Sequence, residues 1–174
     1  IINIREGGLA IHGGLLFGFG AAVILCYLWK VRPLNALDLV APAVALAQSI
    51  GRWGNYFNSE AHGGPTDLPW AVIIDGVPCH PTFLYESIWC FLLFIFLIYV
   101  DNKRKFEGQT ILLYGMLYSL ERFFVEGLRT DSLMIGPFRQ AQVISIVIII
   151  VCIIAYIFLS KRSKSHDNNK ETEK

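Results

Sequence analysis

Residues 141–160 read AQVISIVIIIVCIIAYIFLS, twenty positions without a single charge. A helix of that length is about 30 Å long, which matches the hydrocarbon thickness of a bilayer. A soluble domain has no place for so long an uninterrupted apolar cylinder, so this stretch sets the class of the whole chain. The rest of the sequence agrees. Only 17% of the 174 residues are charged and 54% are hydrophobic, against about 25% charged in soluble domains.

Four further stretches have the length and apolarity of membrane spans. The expected set is 12–29, 35–51, 81–100, 109–128 and 141–160. The expected fold is therefore all-α, a polytopic helical bundle of about five transmembrane helices. Residues 1–160 form the membrane domain, with an outer-face polar loop over 52–80, and residues 161–174 form a disordered cytoplasmic tail. In the second span Asn35 and Asp38 have the spacing of a capping box, which places Asp38 at the helix entrance. The first residues carry neither a charged n-region nor a small-residue cleavage site, so no signal peptide is expected.

The basic residues orient the bundle. Ten of the fifteen, including every lysine, fall after the first, third and fifth spans, on the side assigned as cytoplasmic. The other five are Arg5, Arg52, Arg122, Arg129 and Arg139. A topology signal accepts either residue type. Arginine alone points to a planar fork that grips phosphate or carboxylate in two places. A net charge of +1 gives no electrostatic case for a nucleic-acid partner. The four cysteines have neither zinc-type spacing nor a disulfide pattern.

Four polar clusters collect at the outer side. In GRWGNYFNSEAHGG, Arg52 and Asn55 offer donors at the membrane surface, followed by Asn58, Glu60 and Gly63, while the glycines allow tight turns. The bland alternative is a glycine C-cap followed by an ordinary loop. In the fourth span Tyr114, Tyr118, Arg122 and Glu126 follow at i+4, with Arg129 three further on, so they share one helix face. Glu121 falls near the same arc. Charges in a span usually face a protein interior or a water-filled cavity. A structural Arg122–Glu126 pair, or a span that ends near Leu120, would also explain them. The segment CHPTFLYES places His80 before a helix-starting Pro81, with Glu86 in the outer half of the membrane. The segment REGGLAIHGGLLFG sets His12 among glycines. Each histidine alone fits an ordinary interfacial role; the convergence of all four clusters points to a site for an anionic amphiphile.

These four segments, in this order, resemble the motifs of the prolipoprotein diacylglyceryl transferase family: the arginine–asparagine signature, the Gly-rich histidine segment, the His-Pro-x-x-Leu-Tyr-Glu motif and the tyrosine–arginine–glutamate helix. They cover residues 5–131. Two features depart from the pattern. The family has about seven spans, with more ahead of the Gly-rich histidine segment, so the chain is expected to lack an N-terminal part. Ser119 stands where many members have glycine.

The resemblance implies transfer of diacylglyceryl from phosphatidylglycerol to the thiol of the lipobox cysteine in a prolipoprotein signal peptide. The reaction takes place at the outer leaflet of the bacterial cell membrane, forms a thioether and releases glycerol phosphate. The sulfur comes from the substrate, and no metal or cofactor is implied. A free thiol titrates near 8.5 and desolvation raises that value, so a base is useful. His12 is the first candidate and Tyr118 the alternative. Arg52 and Arg122 are expected to stabilise the departing phosphate, Asn55 to donate to the headgroup, Glu126 to orient Arg122 and Arg129 to bind or gate. His80 and Asn58 complete the substrate-binding set, and Glu60 and Gly63 shape the loop. An anion transporter and a non-catalytic subunit are the rival classes.

Overall fold

A computed structural model describes residues 18, 20–22, 24–60, 62–130 and 134–172. His12 thus lies outside the described residues, as do residues 12–17, 19 and 23 of the first expected span. The chain divides into two units, residues 1–36 and 37–174. In the first, residues 24–28 are helical. They end in a paired turn, with Val31 N donating to Cys26 O and Lys30 N to Tyr27 O, and with Lys30 at φ 54°. That is the hydrogen-bond pattern of a Schellman cap.

The next helix, α1, runs Pro33–Phe57. From Leu37 onward it belongs to the second unit, which continues with a hairpin of β1 (Val72–Ile74) and β2 (Val77–Cys79), then α2 (Thr82–Asp101) and α3 (Gln109–Leu128). A second hairpin, β3 (Met134–Ile135) with β4 (Phe138–Arg139), leads into α4 (Gln140–Thr172). Both hairpins are antiparallel, the first in the register Val72↔Cys79 and Ile74↔Val77. Asp75 and Gly76, at φ 50° and 80°, form its two-residue turn, as the Asp-Gly preference of type I′ turns requires. Among the described residues the architecture is thus mainly helical with two short β hairpins. Helix α4 continues to Thr172, over the residues assigned from the sequence to a tail.

Among the described residues, three helices are long and apolar enough to cross a membrane: α1, α2 and α4 over Gln140–Ser163. Helix α3 has the same length as α2 but carries charged residues through its second half. In α4 almost none of the most apolar window is buried within the chain, which suits a lipid-facing helix and no soluble one.

The buried stripe of α1 explains how these helices pack. Asp38, Ala41, Ala45 and Ser49 are buried at helical spacing, and Arg52 follows on the same face. Ala41 and Ala45 meet Leu93 and Leu97 of α2 in the apolar cluster, with Tyr114, Leu117 and Tyr118 of α3 against it. Small residues let membrane helices approach where lipid supplies no hydrophobic drive. Between α3 and α4 the same device recurs: a Cβ on Gly115 would stand 2.8 Å from Cys152 Sγ.

Asp38 caps a different helix from the one its spacing suggests. It is fully buried and accepts from Gly108 N at 2.7 Å and Ile111 N at 2.9 Å, with Arg104 Nη1 at 3.2 Å. Gly108, at φ 91°, caps α3 with no side chain of its own. The Asp38 carboxylate supplies the missing acceptor and meets the positive end of the α3 dipole. We expect Asp38→Ala to destabilise the protein by about 2–3 kcal/mol, more than an ordinary cap, because buried N–H groups lose their acceptor as well. Denaturant unfolding in detergent tests this. Unfolding indistinguishable from the unaltered protein would show that the cap is not structural.

Candidate active site

At the end of the second unit opposite Asp38, α1, α2 and α3 bring their charged residues together. The register is set by two serines. Ser49 Oγ donates to Ser87 O at 2.8 Å, and Ser87 Oγ returns the bond to Ser49 O at 2.9 Å. Trp53 Nε1 adds a bond to Ser87 Oγ at 3.1 Å. These bonds lock α1 to α2 three residues before Arg52 on α1 and one residue after Glu86 on α2.

Glu86 is the hub. It is fully buried, and its Oε2 lies 2.5 Å from Arg52 Nη2 and 3.3 Å from Arg122 Nη1. Arg52 Nη2 also donates to Tyr118 Oη at 3.3 Å, and Arg122 Nη2 to Glu126 Oε2 at 3.0 Å. Tyr118 stacks on Tyr114 with ring centroids 5.6 Å apart, and Tyr114 Oη donates to Gln48 Oε1 at 2.9 Å. Helical periodicity on α3 thus places Tyr118, Arg122 and Glu126 where the sequence put them, on one face. Glu86, expected in the outer half of the membrane, has no part in the site expected from the sequence. Its signal was a carboxylate at a span entrance with no partner on its own helix.

Arg52 and Asn55 are not in a loop, as expected for 52–80, but in the last turns of α1. Gly51 and Gly54 are helical, and a Cβ on either would meet nothing. A mid-helix glycine costs only about 1 kcal/mol. Against that, Trp53 and Tyr56 pack on Phe83 with centroids 5.5 and 4.8 Å away. The helix ends instead in a Schellman pattern, with Glu60 N donating to Asn55 O, Ser59 N donating to Tyr56 O and Ser59 at φ 54°. Asn58 Nδ2 donates to Glu60 Oε1 at 3.1 Å in an exposed pair.

The other predicted residues, His12 apart, lie at the ends of these helices and in the segments that join them. His80 Nδ1 lies 3.5 Å from Tyr85 Oη, which accepts from Trp70 Nε1 at 2.9 Å. Arg129 bridges Gly63 in the backbone, and its carbonyl accepts from Arg139 Nη1 at 2.8 Å. Arg139 also donates to the Glu126 carbonyl, so this arginine holds the C-terminal carbonyls of α3. Gly63 is fixed by close approach. Its N donates to His80 O, and a Cβ there would lie 2.5 Å from His80 Cβ and 3.2 Å from Leu128 O. At Gly64 the nearest atom would be 3.7 Å away. We expect Gly63→Ala to cost about 1–3 kcal/mol by overpacking and to lower activity, while Gly64→Ala is tolerated. Thermal unfolding of the two variants side by side checks this, and equal behaviour would refute it.

The arrangement holds two guanidiniums against one buried carboxylate oxygen. Arg52 and Arg122 are about one-fifth exposed, at 19% and 20%. Each carries five N–H donors, so each retains donors for a phosphate or carboxylate ligand.

Known proteins resemble this chain over most of its length. Residues 1–158 match the family described as prolipoprotein diacylglyceryl transferase. Among curated proteins, the phosphatidylglycerol–prolipoprotein diacylglyceryl transferase of Clostridioides difficile (strain 630) is 55% identical over 166 residues, 95% of this chain and 67% of the relative. The protein of the same name from Finegoldia magna is 54% identical over 167 residues, 93% of this chain and 66% of the relative. That from Clostridium novyi (strain NT) is 52% identical over 188 residues, covering all of this chain and 69% of the relative. The chain therefore spans about two-thirds of the length of the curated relatives it matches. With residues 1–158 matched by the family and relatives 55% and 54% identical over most of its length, the chain belongs to the prolipoprotein diacylglyceryl transferase family.

Proposed function

We propose that this chain transfers diacylglyceryl from phosphatidylglycerol to the lipobox cysteine of a prolipoprotein signal peptide, at the outer leaflet of a bacterial cell membrane. The observation that carries this reading is the pairing of Arg52 and Arg122 on one oxygen of the buried Glu86. A phosphodiester entering from lipid meets two forked cations that are already oriented. In a water-poor site such preorganised donors are worth roughly 3–4 kcal/mol each.

In the proposed step the substrate thiol gives its proton to a base, and the thiolate sulfur attacks the diacylglyceryl carbon that bears the phosphate ester. The carbon–sulfur bond forms as the carbon–oxygen bond breaks, and the electron pair leaves with glycerol phosphate. Arg52 and Arg122 face the charge that grows on the departing oxygen. Glu126 keeps Arg122 aimed by its bond at 3.0 Å. The base is His12 or Tyr118; the contact of Tyr118 with Arg52 at 3.3 Å supports a part for the phenol beside the phosphate. Asn55, Asn58, Glu60, Gly63, His80 and Arg129 form the rim toward the headgroup and the signal peptide. The topology that goes with this reading has spans at 12–29, 35–51, 81–100, 109–128 and 141–160. The basic segments after the first, third and fifth spans are cytoplasmic, and 161–174 is a cytoplasmic tail.

The test is transfer from labelled phosphatidylglycerol to a lipobox peptide. It uses membranes holding this chain by itself, and this chain joined to the N-terminal segment of the Clostridioides difficile relative. Label on the peptide cysteine in either membrane supports the reaction, and the comparison tells whether residues 1–174 hold the whole site. No label in either, with the protein folded and inserted, would overturn it.

A further inference from the structure

The charge cluster leaves three buried acceptors unfilled. Glu86 Oε1 and both carboxylate oxygens of Glu121 have no hydrogen-bond partner among the described residues. Glu121 is only 5% exposed. It precedes Arg122 on α3 and lies within electrostatic reach of Glu86, Arg122 and Arg52. A buried polar atom without a partner is rare and costly. In the proposed topology α3 spans the membrane, where ionisable residues face the bundle interior or a water-filled cavity and mark substrate paths.

A ligand that fills these oxygens must bring hydrogen-bond donors. A ligand that engages Arg52 and Arg122 must bring an anion. One chemistry meets both demands: a phosphate ester that carries free hydroxyls. We infer that Glu121, together with the open oxygen of Glu86, forms the subsite for the hydroxyls of a glycerophosphoryl group whose phosphate rests on Arg52 and Arg122. This rests on the proposed reaction and adds which residue reads the part of the headgroup that sets phosphatidylglycerol apart from other anionic phospholipids. A site built to bond a substrate hydroxyl rejects analogues that lack it, because its acceptors are then left unfilled.

The experiment compares two labelled donors of equal phosphate charge, phosphatidylglycerol and phosphatidylpropanol, which lacks the hydroxyls, using the form of the protein that transfers. The unaltered protein is expected to favour phosphatidylglycerol at least about tenfold in kcat/KM. Glu121→Ala is expected to bring that ratio close to one, chiefly through KM. Glu121→Gln keeps an acceptor oxygen and is expected to retain part of the preference; it also supplies the measurement if the alanine variant does not fold. A second arm separates the lipid from the free product, using inhibition by glycerol phosphate against methyl phosphate. A loss of discrimination on Glu121 replacement in either arm supports the subsite and says which form of the group it holds. Unchanged discrimination in both arms, or an equal fall on both lipids, would overturn it. Equal transfer from both lipids by the unaltered protein overturns this subsite alone, whereas transfer from neither overturns the reaction itself.

Discussion

Arg52→Lys is expected to lower transfer by about 100- to 1,000-fold while the protein still folds and inserts. The charge is preserved, so the contact with Glu86, now 2.5 Å from Arg52 Nη2, can be remade. The fork is lost. In the present arrangement a single Arg52 nitrogen meets both Glu86 Oε2 and Tyr118 Oη. That leaves the other guanidinium nitrogens for the phosphate. A lysine has one nitrogen on a flexible stem, so it pairs with Glu86 or with the phosphate and holds neither in a fixed plane. Losing one preorganised donor set of this kind costs two to three orders of magnitude in kcat. Initial rates with labelled phosphatidylglycerol measure the effect, and thermal unfolding in detergent reports the fold. Turnover within a few-fold of the unaltered protein would show that Arg52 acts as a point charge only.

Arg52 also shows where sequence reasoning reached and where it stopped. The i+4 series on α3 was legible because helical periodicity is local: Tyr114 and Tyr118 do stack, and Arg122 does reach Glu126. The end of α1 was misplaced because glycine density suggested a turn, while the contacts that extend the helix come from Phe83 on another element. Asp38 had the local spacing of a cap, yet its partners Gly108 and Ile111 are 70 and 73 residues away. Asp75-Gly76 between two short apolar runs was a readable hairpin signal that the expectation of a polar loop passed over. Glu86 was the largest omission. Its partners stand on two other helices, and only the register set by Ser49 and Ser87 brings all three together. The i+4 pairing of Arg122 with Glu126 holds alongside the contact with Glu86, so the structural pair and the ligand-facing role are not exclusive.

That register makes Glu86 the position with the largest expected effect on stability and activity together. Its single Oε2 compensates two guanidiniums from α1 and α3, and its side chain is wholly shielded from solvent. Removing one partner of a buried ion pair costs about 3–5 kcal/mol, because the remaining charge stays desolvated. Here Glu86→Ala would leave two cations side by side, with Glu126 the one carboxylate still in salt-bridge contact with either among the described residues. We therefore expect a loss of about that size and no detectable transfer. Glu86→Gln keeps the shape and an acceptor oxygen but removes the charge, so it should fold better than the alanine variant yet transfer at most about one-hundredth as fast. The decisive measurement is a double-mutant cycle on stability, pairing Glu86→Ala with Arg122→Ala. Coupled partners in one network deviate from additivity by about 0.5–3 kcal/mol. In the double variant the stranded Arg122 charge is gone, so it should be less destabilised than the sum of the single variants. Strict additivity would mean that the two side chains do not share a charge network, and the picture of Glu86 as the common anchor of Arg52 and Arg122 would fall with it.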